Sequence, residues 1–285
     1  AAAIAPFGIG GANGVILITT KKGKTGKPTI TVSSSYAFQN PTYLPKMLNA
    51  RDYLALQNEG YFNLNPTGTT PPNDPAMVAD YNNLHAQDPY RYPDSNFNSE
   101  LNRNFGIMMN NVEISGGSEA VKYRAGIGHY DQKGLFDPLG YNRYTYDLSI
   151  DAQVTSTTKF GMSIRGSNER TDGLDGGTGV PGLMRSFYKF MPNRTLRYPE
   201  GDKWGEAAAS SPVAVLESDG YRVDVRNTLL SSVYLEQDLP FIKGLSVKGV
   251  FSYDPRQVAC KAWHTPNIYH NIDLTSNPYT FTESV

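Results

Sequence analysis

One cysteine, Cys260, occurs in the 285 residues, so no disulfide can form within the chain. No apolar run reaches about 18 residues, which excludes an ordinary membrane-spanning helix. It leaves a membrane-spanning barrel open, because barrel strands alternate and a mean hydropathy of −0.44 fits either case. Charge of one sign is missing too. The 26 Lys and Arg balance 27 Asp and Glu, whereas a general nucleic-acid binder carries a basic excess on one face. Ala1-Ala2-Ala3-Ile4 shows no start Met, basic n-region or cleavage pattern, so the sequence is expected to begin inside a longer protein.

What is present favours β-structure. Tyr (19) and Gly (27) are abundant while charged residues make up only 19%. Tyr and β-branched residues suit strands, and Gly with Asn suits tight turns. In 29–39, Ile30, Val32, Tyr36 and Phe38 alternate with Thr29, Thr31, Ser33 and Ser35. In 141–154, an outward set of Tyr144, Tyr146, Leu148, Ile150 and Ala152 opposes Arg143, Thr145, Asp147, Ser149 and Asp151. In 244–254, Leu245, Val247, Phe251 and Tyr253 oppose Ser246, Lys248 and Asp254. Further strands are expected at 105–115, 121–132, 158–170 and 222–236. Phe105 and Ile107 differ in parity from Val112 and Ile114, and a bulge would reconcile them.

The spacing of these strands carries the fold class. Short connections after 115, 154 and 236 alternate with longer ones at 40–104, 133–140 and 171–221. Up-and-down outer-membrane barrels have tight turns on one side and elaborated loops on the other. The candidates run about 10–15 residues, against a soluble mode of about 5–6 and about 9–11 for crossing a bilayer. The expected fold is all-β: about seven strands of a large antiparallel transmembrane β-barrel. A helix is expected over Asn49–Gly60, with Asn49 as N-cap and Gly60 as stop. A second is expected over Val180–Met191, and 63–75 reads as loop.

Three motifs carry a family resemblance. Gly11-Ala12-Asn13-Gly14-Val15-Ile16-Leu17-Ile18-Thr19-Thr20-Lys21-Lys22-Gly23-Lys24 resembles the end of the plug domain in SusC/RagA-type TonB-dependent outer-membrane transporters. Gly11, Asn13 and Gly14 are its signature positions. Asn49-Ala50-Arg51-Asp52-Tyr53 resembles the segment after the family's first barrel strand, and Val112-Glu113-Ile114-Ser115-Gly116-Gly117-Ser118 its second and third strands. The likeness spans roughly residues 1–170. It implies a plug end at 1–27 and the N-terminal part of the barrel at 28–285, with extracellular loops 40–104 and 171–221. It also implies a bacterial outer-membrane location, a SusD-like surface lipoprotein over the mouth, and energy from the TonB complex. Glycans or peptides would be the cargo, and outer-membrane lipid would surround the wall. The family pattern needs more plug and more strands than these residues supply.

Chemical motifs are weak by comparison. Gly8 to Gly14 lacks the spacing and strand-first context of a dinucleotide loop. Cys260, His264 and His270 are too loosely spaced to read as metal ligands. Asp172 to Gly176 lacks calcium-loop spacing. No Ser–His–Asp set or nucleophile elbow occurs, so no catalytic residue, cofactor or metal is expected. The candidate substrate contacts are Tyr188, Tyr198, Trp204, Arg185, Arg194 and Arg197, since aromatic faces stack on sugars or peptide side chains and Arg forks hold carboxylates. The competing reading of these six is that they pack the loop or meet a partner. A secreted soluble β-sandwich or carbohydrate-binding module is the alternative for the whole chain. It would place a second sheet over the outward faces of 141–154 and 244–254.

Overall fold

A computed structural model describes residues 21–101, 104–175, 179–205, 211–242, 244–266 and 268–284. The signature Gly11, Asn13 and Gly14 lie outside the described residues, as does the apolar run Val15 to Thr20, which by itself reads as a buried strand.

One antiparallel meander makes the wall. Its strands are β1 (Gly26–Gln39), β2 (Phe105–Gly117), β3 (Val121–Lys133), β4 (Gly140–Gln153), β5 (Thr158–Leu174), β6 (Tyr221–Asp238), β7 (Ser246–Tyr253) and β8 (Arg256–Trp263), each paired with its sequence neighbour except that β7 and β8 both pair with β6. Ser231 pairs with Tyr253 and Thr228 with Arg256. The step is the same on both sides, so β7 and β8 are one strand crossing with nothing inserted. Pro255, which has no N–H for the ladder, divides it, and the Asp254 carboxylate accepts from the Ser231 backbone N–H at 2.9 Å. The wall therefore has seven positions. The strand expected to stop at 254 continues to Trp263, and only the residues beyond leave the wall.

Two expectations need correction. β2 carries no bulge, for it pairs in unbroken register with β3 from Ile107 to Gly117. Phe105, Ile107 and Met109 simply share the face of Asn111 and Glu113. The helix begun by Asn49, whose side chain accepts from Asp52 N–H, does not stop at Gly60. It runs as α1 (Ala50–Leu64) and closes where Asn65 N–H bonds to Tyr61 O. One interior Gly costs a helix only about 1 kcal/mol. A helix not anticipated, α2 (Pro75–Gln87), begins at the edge of the expected loop. Asp74 caps it and Pro75 opens it, a start signal that was legible in the sequence. α3 (Val180–Lys189) falls inside the second expected helix, and a short α4 (Pro212–Glu217) was not foreseen.

All the longer connections leave from one end of the wall and pack together. Phe97, Leu101, Phe136, Leu174, Leu183, Phe187, Leu196 and Val213 form a buried cluster. Phe187 stacks on Phe97 and Phe136, at 5.4 and 5.6 Å between ring centres. Residues from three connections and the end of β5 thus share one core, which makes a dome rather than separate loops. α1 and α2 close a smaller core of Ala50, Leu54, Val78 and Tyr81. The hairpin of β9 (Tyr269–Asp273) and β10 (Thr280–Ser284) lies over the dome.

Candidate functional site

The side-chain parity is unbroken across the wall. Ile30, Ile114, Ala125, Leu148, Ile164, Ser231 and Tyr253 pair in succession over all seven positions. Their face also carries Val32, Val112, Ile127, Tyr146, Met162, Val233 and Phe251. Ile127 sits on an interior strand yet is 66% exposed. Among the described residues no second sheet covers this face, as a sandwich would require.

The apolar band crosses the rows obliquely. On β1 it runs from Ile30 to Phe38, and on β7 from Val247 to Tyr253. The row that starts at the first apolar residue of β1 therefore ends at the last of β7, a slip of about one residue per strand. With about 3.3 Å rise per residue and about 4.8 Å between strands, this slip is a tilt of about 35°, within the range for membrane barrels. Ile30 to Phe38 then rises about 22 Å along the barrel axis, close to the ~25 Å apolar band of outer-membrane barrels. Glycines let tyrosines lie flat on the wall. A Cβ on Gly166 would collide with the Tyr146 ring, and one on Gly106 with Tyr36.

The opposite face is polar and tied by charge across strands. Arg124 on β3 grips Glu113 on β2 at 2.7 Å and Asp147 on β4 at 2.7 Å. Gly126 lies directly under the Asp147 carboxylate. Lys159 meets Glu236 at 2.7 Å. Such a face suits a hydrated or protein-filled lumen and would be costly against lipid.

At the dome, three of the six predicted contacts are engaged in packing. Tyr198 is buried, its hydroxyl donating to His270 O at 3.2 Å and its ring against Phe281 and Tyr90. Trp204 donates to Ile268 O and crosses His270 edge-on. Arg197 donates to Glu100 at 3.0 Å and Glu217 at 2.8 Å. Tyr188 keeps an exposed ring edge-on to Phe97, and Arg185 and Arg194 are exposed. The structure does not gather the six into one pocket. No trio of metal-type ligands occurs among the described residues; His264 pairs with Asp175, and His270 packs on Trp204.

The β9–β10 hairpin is tied down by Tyr279, whose hydroxyl donates to Asp88 at 2.6 Å. That bond, ahead of Arg91 and backbone donors, holds the Asp88 carboxyl below its ordinary value. A depressed carboxylate stabilises the folded form above the unfolded pKa, about 3.9, and loses that effect as pH falls through the lower folded value. Protease sensitivity of 264–284 should thus be equal at pH 7 and pH 5.5 and should rise only below about pH 4. Tyr279→Phe should weaken that acid dependence, Arg91 and the backbone donors remaining in place.

TonB-dependent receptor P3 of Formosa agariphila is 25% identical over 268 residues, 89% of this chain and 23% of that protein. A second TonB-dependent receptor of that organism is 28% identical over 259 residues. SusC, a TonB-dependent receptor of Bacteroides thetaiotaomicron, is 24% identical over 186 residues, 65% of this chain. The chain spans less than a quarter of these relatives' lengths. The RagAB peptide importer in its open-open state superposes with a TM-score of 0.71 at 18% identity, covering 94% of this chain and 33% of that one. The closed-closed state gives 0.68 at 20% identity. No protein-family model matches. The resemblance read from the three motifs holds: the curated relatives are TonB-dependent receptors, SusC among them, and the fold matches part of the RagAB importer's.

Proposed function

We propose that this chain supplies the plug end, 1–27, and the first part of the wall, 28–285, of a TonB-energised importer in a bacterial outer membrane. The oblique apolar band carries the reading, because a soluble sheet has no reason to slip its bare face by one residue per strand. A barrel wide enough for large cargo would leak unless filled, and the charged inner face offers a plug many polar contacts. A SusD-like lipoprotein would sit over the dome end. Peptides or glycans would be the cargo, peptides being what the structurally similar RagAB carries by its name. The protein is a transporter and not an enzyme on this reading.

The test uses the full-length protein in its own cells. It should appear in the outer-membrane fraction and shift on gels when heated, and uptake should stop when TonB is removed. A soluble form that ignores heating would end the proposal. For cargo contact, the exposed Tyr188 and Arg185 are members of the predicted set left to test, Tyr198, Trp204 and Arg197 being engaged in packing. Tyr188→Ala with Arg185→Ala should lower uptake while leaving the heat shift intact, and unchanged uptake would remove these residues from the cargo path.

A further inference from the structure

The segment 21–24, just before β1, lies on the polar face of the wall, well away from the strand it leads into. Lys22 Nζ reaches Asp151 on β4 at 2.7 Å. Tyr234 on β6 donates its hydroxyl to the same Asp151 oxygen at 2.6 Å. Asp151, Gly161 and Tyr234 stand in one row across β4, β5 and β6. A Cβ on Gly161 would sit inside the Tyr234 ring, so glycine there is what lets the tyrosine lie flat and span β5. Lys22 and Lys248 then hold the ring from 5.4 and 4.5 Å. Gly23 is buried against the β3 backbone, and a Cβ on it would come within 2.5 Å of Tyr123 N and O. Those are backbone atoms of a paired strand and cannot give way cheaply.

We propose that Lys22 and Gly23, seated on Asp151, Tyr234 and Tyr123, are positioning residues that form a fixed latch between the chain preceding residue 21 and the wall. This rests on the reading of the chain as plug end plus wall. A pull on the preceding segment reaches Lys22 before β1, and the ion pair with its buried glycine takes the load sideways into β3, β4 and β6. The latch stays seated during transport.

The test is made in the full-length protein carrying Cys260→Ser. Lys22→Cys and Asp151→Cys, joined by a short bis-maleimide, should leave uptake as in the unjoined protein; loss of uptake on joining would overturn the latch. Gly23→Ala and Asp151→Asn should keep the heat-shifted barrel band yet sensitise cells to a large antibiotic normally excluded. Lys22→Met should add nothing to Asp151→Asn, and Lys22→Arg alone, which keeps the ion pair, should hold exclusion near wild type. Wild-type exclusion in both Gly23→Ala and Asp151→Asn would also overturn it. Absence of TonB-dependent uptake in the unmodified protein would instead strike the importer reading, and the exclusion and heat-shift readouts would still judge the latch.

Discussion

Ile164→Arg should cost the folded wall about 2–4 kcal/mol, because a cation is then forced into lipid near mid-band. Ser163→Arg, one residue away on the polar face, should cost far less. The contrast follows from strand parity: Ile164 shares its row with Leu148 and Ser231, while Ser163 shares its with Ser149 and Ser232. Ser163 is exposed and its hydroxyl bonds the Ser232 hydroxyl at 2.8 Å, so a longer side chain has polar space to enter. Urea titration of the full-length protein in lipid vesicles, read by the heat shift, measures both variants. Equal losses would mean that the face bearing Ile164 does not meet lipid. The experiment also fixes orientation, since a sandwich buries Ile164 under a second sheet and punishes Arg there even without lipid.

Phe187→Ala should unfasten the dome. Its ring is buried between Phe97 and Phe136, and removing a buried Phe costs about 3–5 kcal/mol through lost burial and the cavity left behind. The wall has its own ladder and band, so the heat-shifted form should survive while 134–139 and 179–205 become open to protease. Phe187→Leu should retain most of the protection. Phe136→Ala added to Phe187→Ala should cost less than the sum, because both rings line the same cavity. A dome that resists protease in Phe187→Ala would show that the connections are held mainly by their polar ties, such as Arg197 to Glu100 and Ser95 to Arg194 O.

The wall was legible because alternation is local: Tyr144, Leu148 and Ile150 declare their face in any window of ten residues. β2 shows the limit of that signal. Phe105, Ile107 and Met109 are apolar on the polar face, and only their pairing with β3 resolves the parity that the sequence left open. The strand expected over 244–254 falls short of Trp263 for a similar reason. A proline interrupts the ladder for one residue, and the pairing of both flanks to β6 is a long-range fact. The candidate site was read by residue type alone. Arg197, Tyr198 and Trp204 have the chemistry of cargo contacts, but their partners, Glu100, His270 and Ile268, lie far away in sequence and turn them inward. The latch had a faint signal in Lys21-Lys22-Gly23-Lys24, which reads equally well as a solvated turn. Asp151 lies 129 residues from Lys22, beyond the reach of any local pattern.

The tilt sets a geometry that hydrogen-bonded rows conceal. Each strand step lifts a row by about 2.7 Å along the barrel axis. Ile30 and Tyr253, joined by an unbroken line of cross-strand pairs, thus differ in membrane depth by about 16 Å. The inner face is a spiral stair, and a solute moving along the axis passes treads from successive rows on successive strands. A ring of equal depth joins residues about one position further along on each strand, so depth probes placed by pairing would report a slope, and probes placed by that stagger would report a level.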